Sequence, residues 1–417
     1  MQIVDEIILL LEDGQQSEAL KKYKQVLKNG ESEVQFDLGE KLFQLGFLEE
    51  AKSLFETLLK KYPEEGELLV FLAEIYLELD NENHALHLLE SIQEQDSSFP
   101  QALMLLADLY QMQGLFEVSE QKILKAKKIL PDEKIIDFAL GELYAEQGKL
   151  TEAIESYQQV LNEATEIAGV NLNQRLAEVL SVSGKFEEAL PYYDRALDEK
   201  LEINTLFGYA FTAYQAGYYR TAIEKFIELM ELDPEYHSLY LYLARSYEQE
   251  GELEESFRII KEGIKQDEFN KDLFHYAGKI ALKLGQEEEA EELLRQALVL
   301  DPGFTEVALV LNKLFIQNEQ YENVLDLVEY IETLDEEEPQ FLWDAAISYQ
   351  KTENYLQALN KYERAYTFFK NNTDFLEDYG YFLMEEGKTK EAAEIFNKLL
   401  KEDPSNEEYL EILERLV

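Results

Sequence analysis

The sequence predicts an all-α protein, an α-solenoid of about twelve stacked helix hairpins, and three observations support this. Residues 271–304 contain two stretches with apolar residues at helical spacing, which are separated by Gly285 and followed by Asp301-Pro302. A small residue recurs at intervals close to 34 residues along the whole chain. One hairpin of this size cannot bury its own apolar face, so neighbouring hairpins must stack to form a core.

The register of the repeats follows from the residues equivalent to Ala290, which we call the anchors. The anchors are Ala19, Ala51, Ala85, Ser119, Ala153, Ala189, Ala222, Ser256, Ala290, Val324, Ala358 and Ala392. Their intervals are 32, 34, 34, 34, 36 and 33 residues, then five of 34. Twelve residues before the anchors, mostly small residues recur: Gly39, Ala73, Ala107, Gly141, Ala177, Ala210, Ala244, Gly278, Ala346 and Gly380. Small residues at both positions allow two antiparallel helices to approach closely.

Two further positions recur with the anchors. Large apolar or aromatic residues stand four residues after many of them: Tyr23, Phe55, Tyr157, Tyr193, Phe226, Tyr362 and Phe396. Proline closes several repeats, at Pro63, Pro131, Pro234, Pro302 and Pro404. In its period, small residues and terminal proline the chain resembles the tetratricopeptide repeat (TPR) family over almost its whole length. The resemblance implies a right-handed superhelix whose concave groove is lined by the first helix of each hairpin.

The period divides the chain into twelve repeats and a final segment. The predicted repeats are 1–31, 32–65, 66–99, 100–133, 134–169, 170–202, 203–236, 237–270, 271–304, 305–338, 339–372 and 373–406. The fifth repeat is longer by two residues, in the loop around Ala168-Gly169. Residues 407–417 place Tyr409, Ile412, Leu413 and Leu416 on one helical face. We expect this segment to be a helix that caps the last repeat.

Two repeats depart from the pattern. The opening helix of the first is apolar nearly all round, which fits either a tightly packed first hairpin or a surface for self-association or a partner. The tenth repeat has Asn312, Val324 and Ile331 where small residues stand elsewhere, and it ends in the acidic run 335–338. The two interpretations of the tenth repeat are a hinge and a continuous array with one poorer interface. The unbroken period favours the continuous array.

Composition limits the classes of function. The net charge is 38 − 87 = −49, and such a surface repels phosphate backbones and anionic lipids, so we expect no nucleic-acid or membrane partner. The absence of cysteine excludes disulfides and cysteine-ligated metals. The N-terminus carries Asp5 and Glu6 without a basic segment, and no apolar run reaches membrane-spanning length. We expect a cytoplasmic protein.

The sequence offers no active site. Gly387-Lys388-Thr389 lacks the upstream glycine of a phosphate-binding loop, since Phe382 stands at that position. His84, His87 and Glu90 share a helix face, but nothing supplies a second shell for a metal. Carboxylates are too numerous for a pair of them to indicate acid–base catalysis. The sequence therefore predicts a protein that is not an enzyme, with no catalytic residues, no metal and no cofactor.

One set of equivalent positions carries a charge pattern. We call the residue after each small residue of the first helix, together with its equivalent in repeat ten, the ladder; it consists of Glu40, Glu74, Asp108, Glu142, Glu178, Phe211, Arg245, Lys279, Lys313, Ile347 and Tyr381. Five acids are followed by an aromatic residue and then by three bases. Like charges at one-repeat spacing repel one another and add no stability, so the pattern indicates binding of charged partners.

Large side chains recur beside the ladder, four residues before it and three after it. They either pack between neighbouring first helices or form an exposed apolar face for a partner. The candidate partner-binding residues are therefore Glu40, Glu74, Asp108, Glu142 and Glu178, the bases Arg245, Lys279 and Lys313, and Phe207, Phe211, Tyr214, His275, Trp343 and Tyr381.

The pattern favours a non-enzymatic scaffold or adaptor for protein–protein interaction, which binds a peptide or helical partner in its concave groove. An acidic segment is expected in the C-terminal half of the groove, and a basic segment in the N-terminal half. Two alternatives stay open at this point: a regulatory subunit of an enzyme complex, and a cytoplasmic peptide sensor.

Overall fold

The structure, a computed structural model, describes residues 2–334 and 338–416. Within these residues the chain forms 25 α-helices and one short β-hairpin, so the predicted all-α repeat fold is confirmed. The chain divides into two compact units, Met1–Gly208 (unit 1) and Tyr209–Val417 (unit 2). In each unit consecutive helices alternate as the first and second members of hairpins.

The helix bounds follow the 34-residue period. The first helices are α1 (Gln2–Glu12), α3 (Ser32–Gln44), α5 (Gly66–Glu78), α7 (Phe99–Met112), α9 (Lys134–Glu146), α11 (Leu172–Val182), α13 (Ile203–Gln215), α15 (Ser238–Gln249), α17 (Lys271–Lys283), α19 (Thr305–Gln317), α21 (Pro339–Lys351) and α23 (Thr373–Glu385). The second helices are α2 (Gln16–Asn29), α4 (Leu48–Leu59), α6 (Glu82–Ser91), α8 (Phe116–Ile129), α10 (Leu150–Leu161), α12 (Phe186–Glu199), α14 (Tyr219–Leu232), α16 (Leu253–Gln266), α18 (Glu287–Leu300), α20 (Tyr321–Glu332), α22 (Tyr355–Phe369) and α24 (Thr389–Glu402). Helix α25 (Glu407–Leu416) follows.

Several hairpins are closed by a small residue of the first helix that faces a large residue of the second. A Cβ added at Gly141 on α9 would lie 2.7 Å from Cε1 of Tyr157 on α10. At Gly39 on α3 it would lie 2.9 Å from Cζ of Phe55 on α4. These are the small residue twelve before the anchor and the large residue four after it. The backbones approach closely because the ring of one helix occupies the space left by the missing side chain of the other.

The turn inside most hairpins needs a left-handed residue, which is why glycine recurs there. Gly285 has φ 73°. Three hairpins place Asp80, Glu319 and Glu353 at the equivalent position with φ of 57°, 55° and 62°. An L-residue in this conformation costs roughly 1–2 kcal/mol, so these turns are strained where glycine is absent.

The two extra residues of the fifth repeat form a β-hairpin that the sequence did not predict. Strands β1 (Glu166–Ile167) and β2 (Val170–Asn171) pair antiparallel, with Ile167 opposite Val170. Ala168 and Gly169 make the turn with φ of 51° and 78°. Positive φ at both central residues gives the tight turn whose twist matches two paired strands.

The first and last helices each combine buried and exposed apolar residues, and Leu410 on α25 is 46% exposed. On α25, Tyr409 and Ile412 are buried, and the Tyr409 ring centroid lies 5.8 Å from that of Phe396 on α24. On α1, Ile7 is buried but Leu9 keeps 58% of its surface exposed. Self-association through α1 stays a prediction. Residues 335–337, most of the acidic run of repeat ten, lie outside the described residues. The predicted choice between a hinge and a continuous array at this repeat therefore stays a prediction.

Candidate binding surfaces on the first helices

The acidic ladder residues of unit 1 lie on α3, α5, α7, α9 and α11. Glu40 and Glu74 are half-buried. Nε2 of Gln101 donates a hydrogen bond of 3.3 Å to Oε1 of Glu74. Burial raises the pKa of Glu74, and this hydrogen bond opposes the rise only in part. A carboxylate in this environment gains more from an approaching cation than one surrounded by water.

A cleft of about 710 Å³ separates α7 from α9 on the first-helix face of unit 1. Helix α7 lines it with Met104, Asp108, Gln111 and Met112, and α9 with Ile135, Phe138, Glu142 and Glu146. These linings include two ladder acids and the large residues four positions before each of them. The cleft therefore joins the predicted charged and apolar positions in one concave surface. Its volume is in the range of sites that enclose small ligands, roughly 300–1,000 Å³.

Asp108 is an exposed ladder acid that lines this cleft. Its carboxylate opens to solvent through the cleft, and it makes no hydrogen bond or ion pair with any residue that the structure describes. The surrounding walls of the cleft raise its pKa to about 6 through desolvation. Asp108 therefore favours a nearby cation, and solvent around its exposed side chain weakens that preference.

Arg175 on α11 neutralises the next two acids. Its Nε and Nη2 donate to the two carboxylate oxygens of Glu142, at 2.9 and 2.6 Å, and its Nη1 lies 2.8 Å from Oε2 of Glu178. The Tyr157 hydroxyl donates a further bond of 2.5 Å to Glu142. These hydrogen bonds raise the pKa of Arg175. Such bidentate charge-assisted bonds are strong, so Glu142 and Glu178 connect α9 to α11.

The bases of unit 2 lie on α15, α17 and α19. The guanidinium carbon of Arg245 lies 5.6 Å from the ring centroid of Tyr276 and 5.9 Å from that of Tyr242. Lys313 is exposed and forms no hydrogen bond or ion pair within residues 2–334 and 338–416. Among the same residues, no carboxylate lies within 4.0 Å of the Arg245 guanidinium. Two of the three bases therefore present a charge that the described part of the protein leaves without a counter-ion.

Lys279 has one weak partner, which it shares with His275. Its Nζ lies 3.5 Å from Oε1 of Glu306, and Nε2 of His275 lies 3.6 Å from the same oxygen. The His275 ring is buried and meets Phe304 edge-to-face at 5.0 Å. Burial lowers the pKa of His275, and Glu306 opposes this. Its Nε2 has no hydrogen-bond partner in the described chain, so this imidazole is neutral at pH 7 and packs within the stack.

The predicted aromatic residues of α13 fall in both units. Phe207 belongs to unit 1 and is half-buried. In unit 2, Phe211 meets Tyr242 edge-to-face at 4.8 Å, and Tyr214 lies 5.6 Å from the same ring. Aromatic pairs at such distances stabilise the packing of adjacent first helices. Phe211 and Tyr214 thus serve packing and keep part of their surface exposed.

Trp343 and Tyr381 are engaged within unit 2. Nε1 of Trp343 donates a 3.0 Å hydrogen bond to Oδ2 of Asp378, and its ring lies 5.4 Å from that of Phe375. The Tyr381 hydroxyl donates to Oε1 of Glu408 at 2.5 Å. Burial, together with this carboxylate, raises the pKa of Tyr381 to about 12. Both residues therefore stabilise the C-terminal hairpins as well as lining their surface.

The sequence did not identify Arg175, Met112 or Glu146 as site residues. Arg175 could have been recognised, because it is a base three residues before a ladder acid on the same helix. Met112, which is 75% exposed, and Glu146 lie at the ends of α7 and α9, beyond the three positions that the repeat comparison followed.

Metal and membrane chemistry find no support in the described residues. Within 2–334 and 338–416, no three His, Asp or Glu side chains are grouped to hold a metal ion. Among the described helices, none combines the length and apolar character that a bilayer crossing requires.

Comparison with known proteins places the chain among repeat proteins. Models described as "YpiA-like, tetratricopeptide repeats" and "YpiA-like, C-terminal tetratricopeptide repeats" match residues 111–165 and 339–406. Three general tetratricopeptide repeat models match 42–109, 212–271 and 273–304. Similar solved structures include a TPR protein from Parabacteroides merdae, 18% identical with a TM-score of 0.42, which covers 60% of this chain and 99% of that one. Another is YrrB, described as "a TPR protein with an unusual peptide-binding site", 19% identical with a TM-score of 0.39 over 44% of this chain and 95% of that one.

Two curated proteins are similar in sequence. The Protein CTR9 homolog of Arabidopsis thaliana is 24% identical over 274 residues, which are 63% of this chain and 25% of that protein. The TPR repeat-containing protein YpiA of Bacillus subtilis (strain 168) is 45% identical over 414 residues, 99% of this chain and 98% of that one. With this identity over nearly the full length of both proteins, the chain belongs to the YpiA-like tetratricopeptide repeat family.

Proposed function

We propose that the chain is a non-enzymatic scaffold of the cytoplasm that binds segments of partner proteins along the faces formed by its first helices. The observation that carries the proposal is the set of three bases on consecutive first helices of unit 2, Arg245, Lys279 and Lys313. In a chain with 38 basic and 87 acidic residues, three bases in register contrast with the rest of the surface.

Internal ion pairs do not account for Arg245 and Lys313. Most basic side chains of the protein sit beside a carboxylate, as Lys271 does with Asp301 and Lys283 with Glu248. Arg245 instead packs on tyrosine rings, and Lys313 projects without a partner among the described residues. A cation stacked on aromatic rings is held in one orientation while its hydrogen-bond donors stay available. Such a group is suited to a carboxylate of another molecule.

The charges define the partner segments. An acidic segment fits the bases of unit 2, and a basic segment fits the acids of unit 1. Opposite charges accelerate encounter and fix the direction of a bound segment, and the apolar side chains beside the ladder contribute the contact area.

Site-specific crosslinking in cells tests the proposal. A photoreactive amino acid placed at Lys313 is expected to capture a discrete partner, whereas one at Val299, which is 73% exposed on the second helix α18, is not. The double variant Arg245→Glu/Lys279→Glu is expected to abolish capture at Lys313, because two attractive charges become repulsive.

The matched control is Arg258→Glu/Lys265→Glu, which makes the same change in charge on the second helix α16, where both side chains are exposed. This control is expected to retain capture, and both double variants are expected to melt close to the parent protein. Equal capture from Val299, or capture at Lys313 that survives the Arg245/Lys279 reversal, would refute a first-helix binding face.

A further inference from the structure

The cleft between α7 and α9 combines an apolar wall with several carboxylates. Its apolar side chains include Met104, Met112, Ile135 and Phe138. Neither lysine nor arginine lines it, in the part of the chain that the structure describes. An apolar ligand alone would leave the carboxylates unmatched, and a cation alone would leave the apolar wall exposed to water.

The carboxylates of this cleft are unequal. Glu142 is already satisfied by Arg175 and Tyr157, and Glu146 accepts a hydrogen bond from Gln111. Asp108 has no such partner among the described residues, although the cleft walls partly remove it from water. Asp108 and Glu133 are therefore the cleft carboxylates with which no described side chain pairs, and desolvation raises the pKa of Asp108. A cation beside Asp108 offsets this desolvation, so the cleft favours positively charged groups.

The apolar wall specifies the second part of the ligand. Methionine side chains are flexible and adapt to differently shaped partners, and two of them, both on α7, line the cleft together with Phe138 of α9. Met112 keeps 75% of its surface in water, so covering it contributes to binding. A large unbranched or aromatic side chain fits this wall better than a small polar one.

We propose that the α7–α9 cleft binds a protein segment in which a large apolar side chain is followed closely by lysine or arginine, with the cation at Asp108 and the apolar group between Met104, Met112 and Phe138. The inference rests on the proposed function and names the ligand chemistry of unit 1. Nucleic acid and anionic membranes are disfavoured here by the same carboxylates.

Methionine methyl groups give a local readout of binding. The full chain has five methionines, Met1, Met104, Met112, Met230 and Met384, and two of them line the cleft. With ¹³C-methyl methionine labelling, a synthetic twelve-residue peptide of alternating leucine and lysine pairs is expected to shift the NMR signals of Met104 and Met112. The signals of Met230 and Met384 are expected to stay in place.

Matched peptides and variants separate the two parts of the ligand. Replacing every lysine of the peptide by glutamate is expected to abolish the shifts, and replacing every leucine by serine to weaken binding at least tenfold. Asp108→Asn is expected to weaken binding of the leucine–lysine peptide roughly fivefold. Glu117→Gln, which removes one exposed charge from the second helix α8, is expected to leave it unchanged.

Three results would overturn the inference: no shift of Met104 and Met112, equal shifts with the glutamate peptide, or equal shifts with a simple alkylammonium ion, which would assign the cleft to small cationic amphiphiles. Crosslinking at Lys313 is an independent measurement on unit 2. Its persistence alongside any of these results would leave the scaffold function standing without this ligand. If crosslinking at Lys313 were lost while the methionine shifts persisted, the ligand of the cleft would stand and the binding face of unit 2 would not.

Discussion

Asp344 on α21 is a buried carboxyl group without a cation beside it. Only 6% of its surface is exposed. Nε2 of Gln340 donates to Oδ1 at 2.8 Å, and Nδ2 of Asn312 on α19 donates to Oδ2 at 3.2 Å. Burial raises the pKa of Asp344 to about 6, and these two hydrogen bonds only moderate the rise. Asp137, another buried aspartate, differs in having Nζ of Lys127 at 2.7 Å.

Replacing Asp344 by asparagine is expected to stabilise the protein at neutral pH. In the unfolded chain an aspartate has a pKa of about 3.9, so the folded protein binds this proton more tightly by about two pKa units, worth roughly 3 kcal/mol. This contribution to stability is complete below pH 4 and is lost as the pH rises through 6. At pH 8 Asp344→Asn avoids the cost of the buried charge. The new amide keeps one oxygen to accept from Gln340, and its NH2 can donate to Oδ1 of Asn312 once the Asn312 amide turns over to present that oxygen.

The expected gain at pH 8 is roughly 2–3 kcal/mol in the free energy of unfolding, and linkage predicts that about half of it is gone at pH 5. Both pH 8 and pH 5 lie above the isoelectric point of about 4.3. Urea denaturation can be followed through Trp343, the single tryptophan, which precedes Asp344 on α21. A local probe is appropriate because repeat arrays need not unfold in one step.

Asp326→Asn provides the control, since Asp326 is exposed on α20 and its replacement removes the same charge. We expect a change of no more than about 0.5 kcal/mol for it. If Asp344→Asn destabilises the protein at pH 8, or if its advantage over the parent is the same at pH 8 and pH 5, then Asp344 does not carry a buried charge and the reasoning fails.

Two further changes test the packing of the hairpins, and a third tests backbone strain in a turn. Ala290→Leu adds volume at a fully buried anchor and is expected to lower the free energy of unfolding by roughly 1–3 kcal/mol, measured by thermal melting. Gly141→Ala places a Cβ 2.7 Å from the Tyr157 ring and is expected to cost a similar roughly 1–3 kcal/mol in the same assay. Glu353→Gly relieves a φ of 62° and is expected to stabilise by about 0.5–1 kcal/mol in urea denaturation.

Each of these has a result that contradicts it. An unchanged melting temperature for Ala290→Leu would mean that the anchor does not face the neighbouring helix. An unchanged melting temperature for Gly141→Ala would mean that α9 and α10 can move apart without a cost in stability. Glu386→Gly is the control for Glu353→Gly, because Glu386 has φ −80° and glycine there should destabilise slightly. Equal effects of the two glycine substitutions would exclude backbone strain as the cause.

The hairpin core could be predicted from the sequence because its contacts have a constant sequence separation. Gly39 meets Phe55 and Gly141 meets Tyr157, each sixteen residues apart, and the anchor lies between them. Because the repeat pattern recurs in twelve copies, the assignment of helices and contacts in each copy is supported by the others. The same argument accounts for the prediction of the turn between helices, where Gly285 and its equivalents provide the left-handed residue.

Contacts between repeats were less predictable, because they depend on the direction of long side chains. The bridge from Arg175 to Glu142 joins residues 33 apart whose pairing no motif specifies. The burial of Asp344 is a second case, since it follows from Asn312 taking the place of a small residue one repeat earlier. The β-hairpin at 166–171 depends on two residues in one loop, and periodicity carries no information on it.

The candidate site residues differ in whether the protein itself already satisfies their polar groups. Glu142 and Glu178 share Arg175, and the Trp343 and Tyr381 donors have carboxylate acceptors, so these four residues contribute to the stacking of hairpins. Equivalence in the repeat therefore does not imply equivalence in function.

Asp108 and Lys313 have no polar partner among the described residues, and Arg245 has only aromatic ones. Desolvation raises the pKa of Asp108, so its charge carries a cost in the free protein that no described contact offsets. A repeat array can tolerate such a cost at one position, because each interface contributes its own share of stability. It follows that binding studies should begin with these three residues.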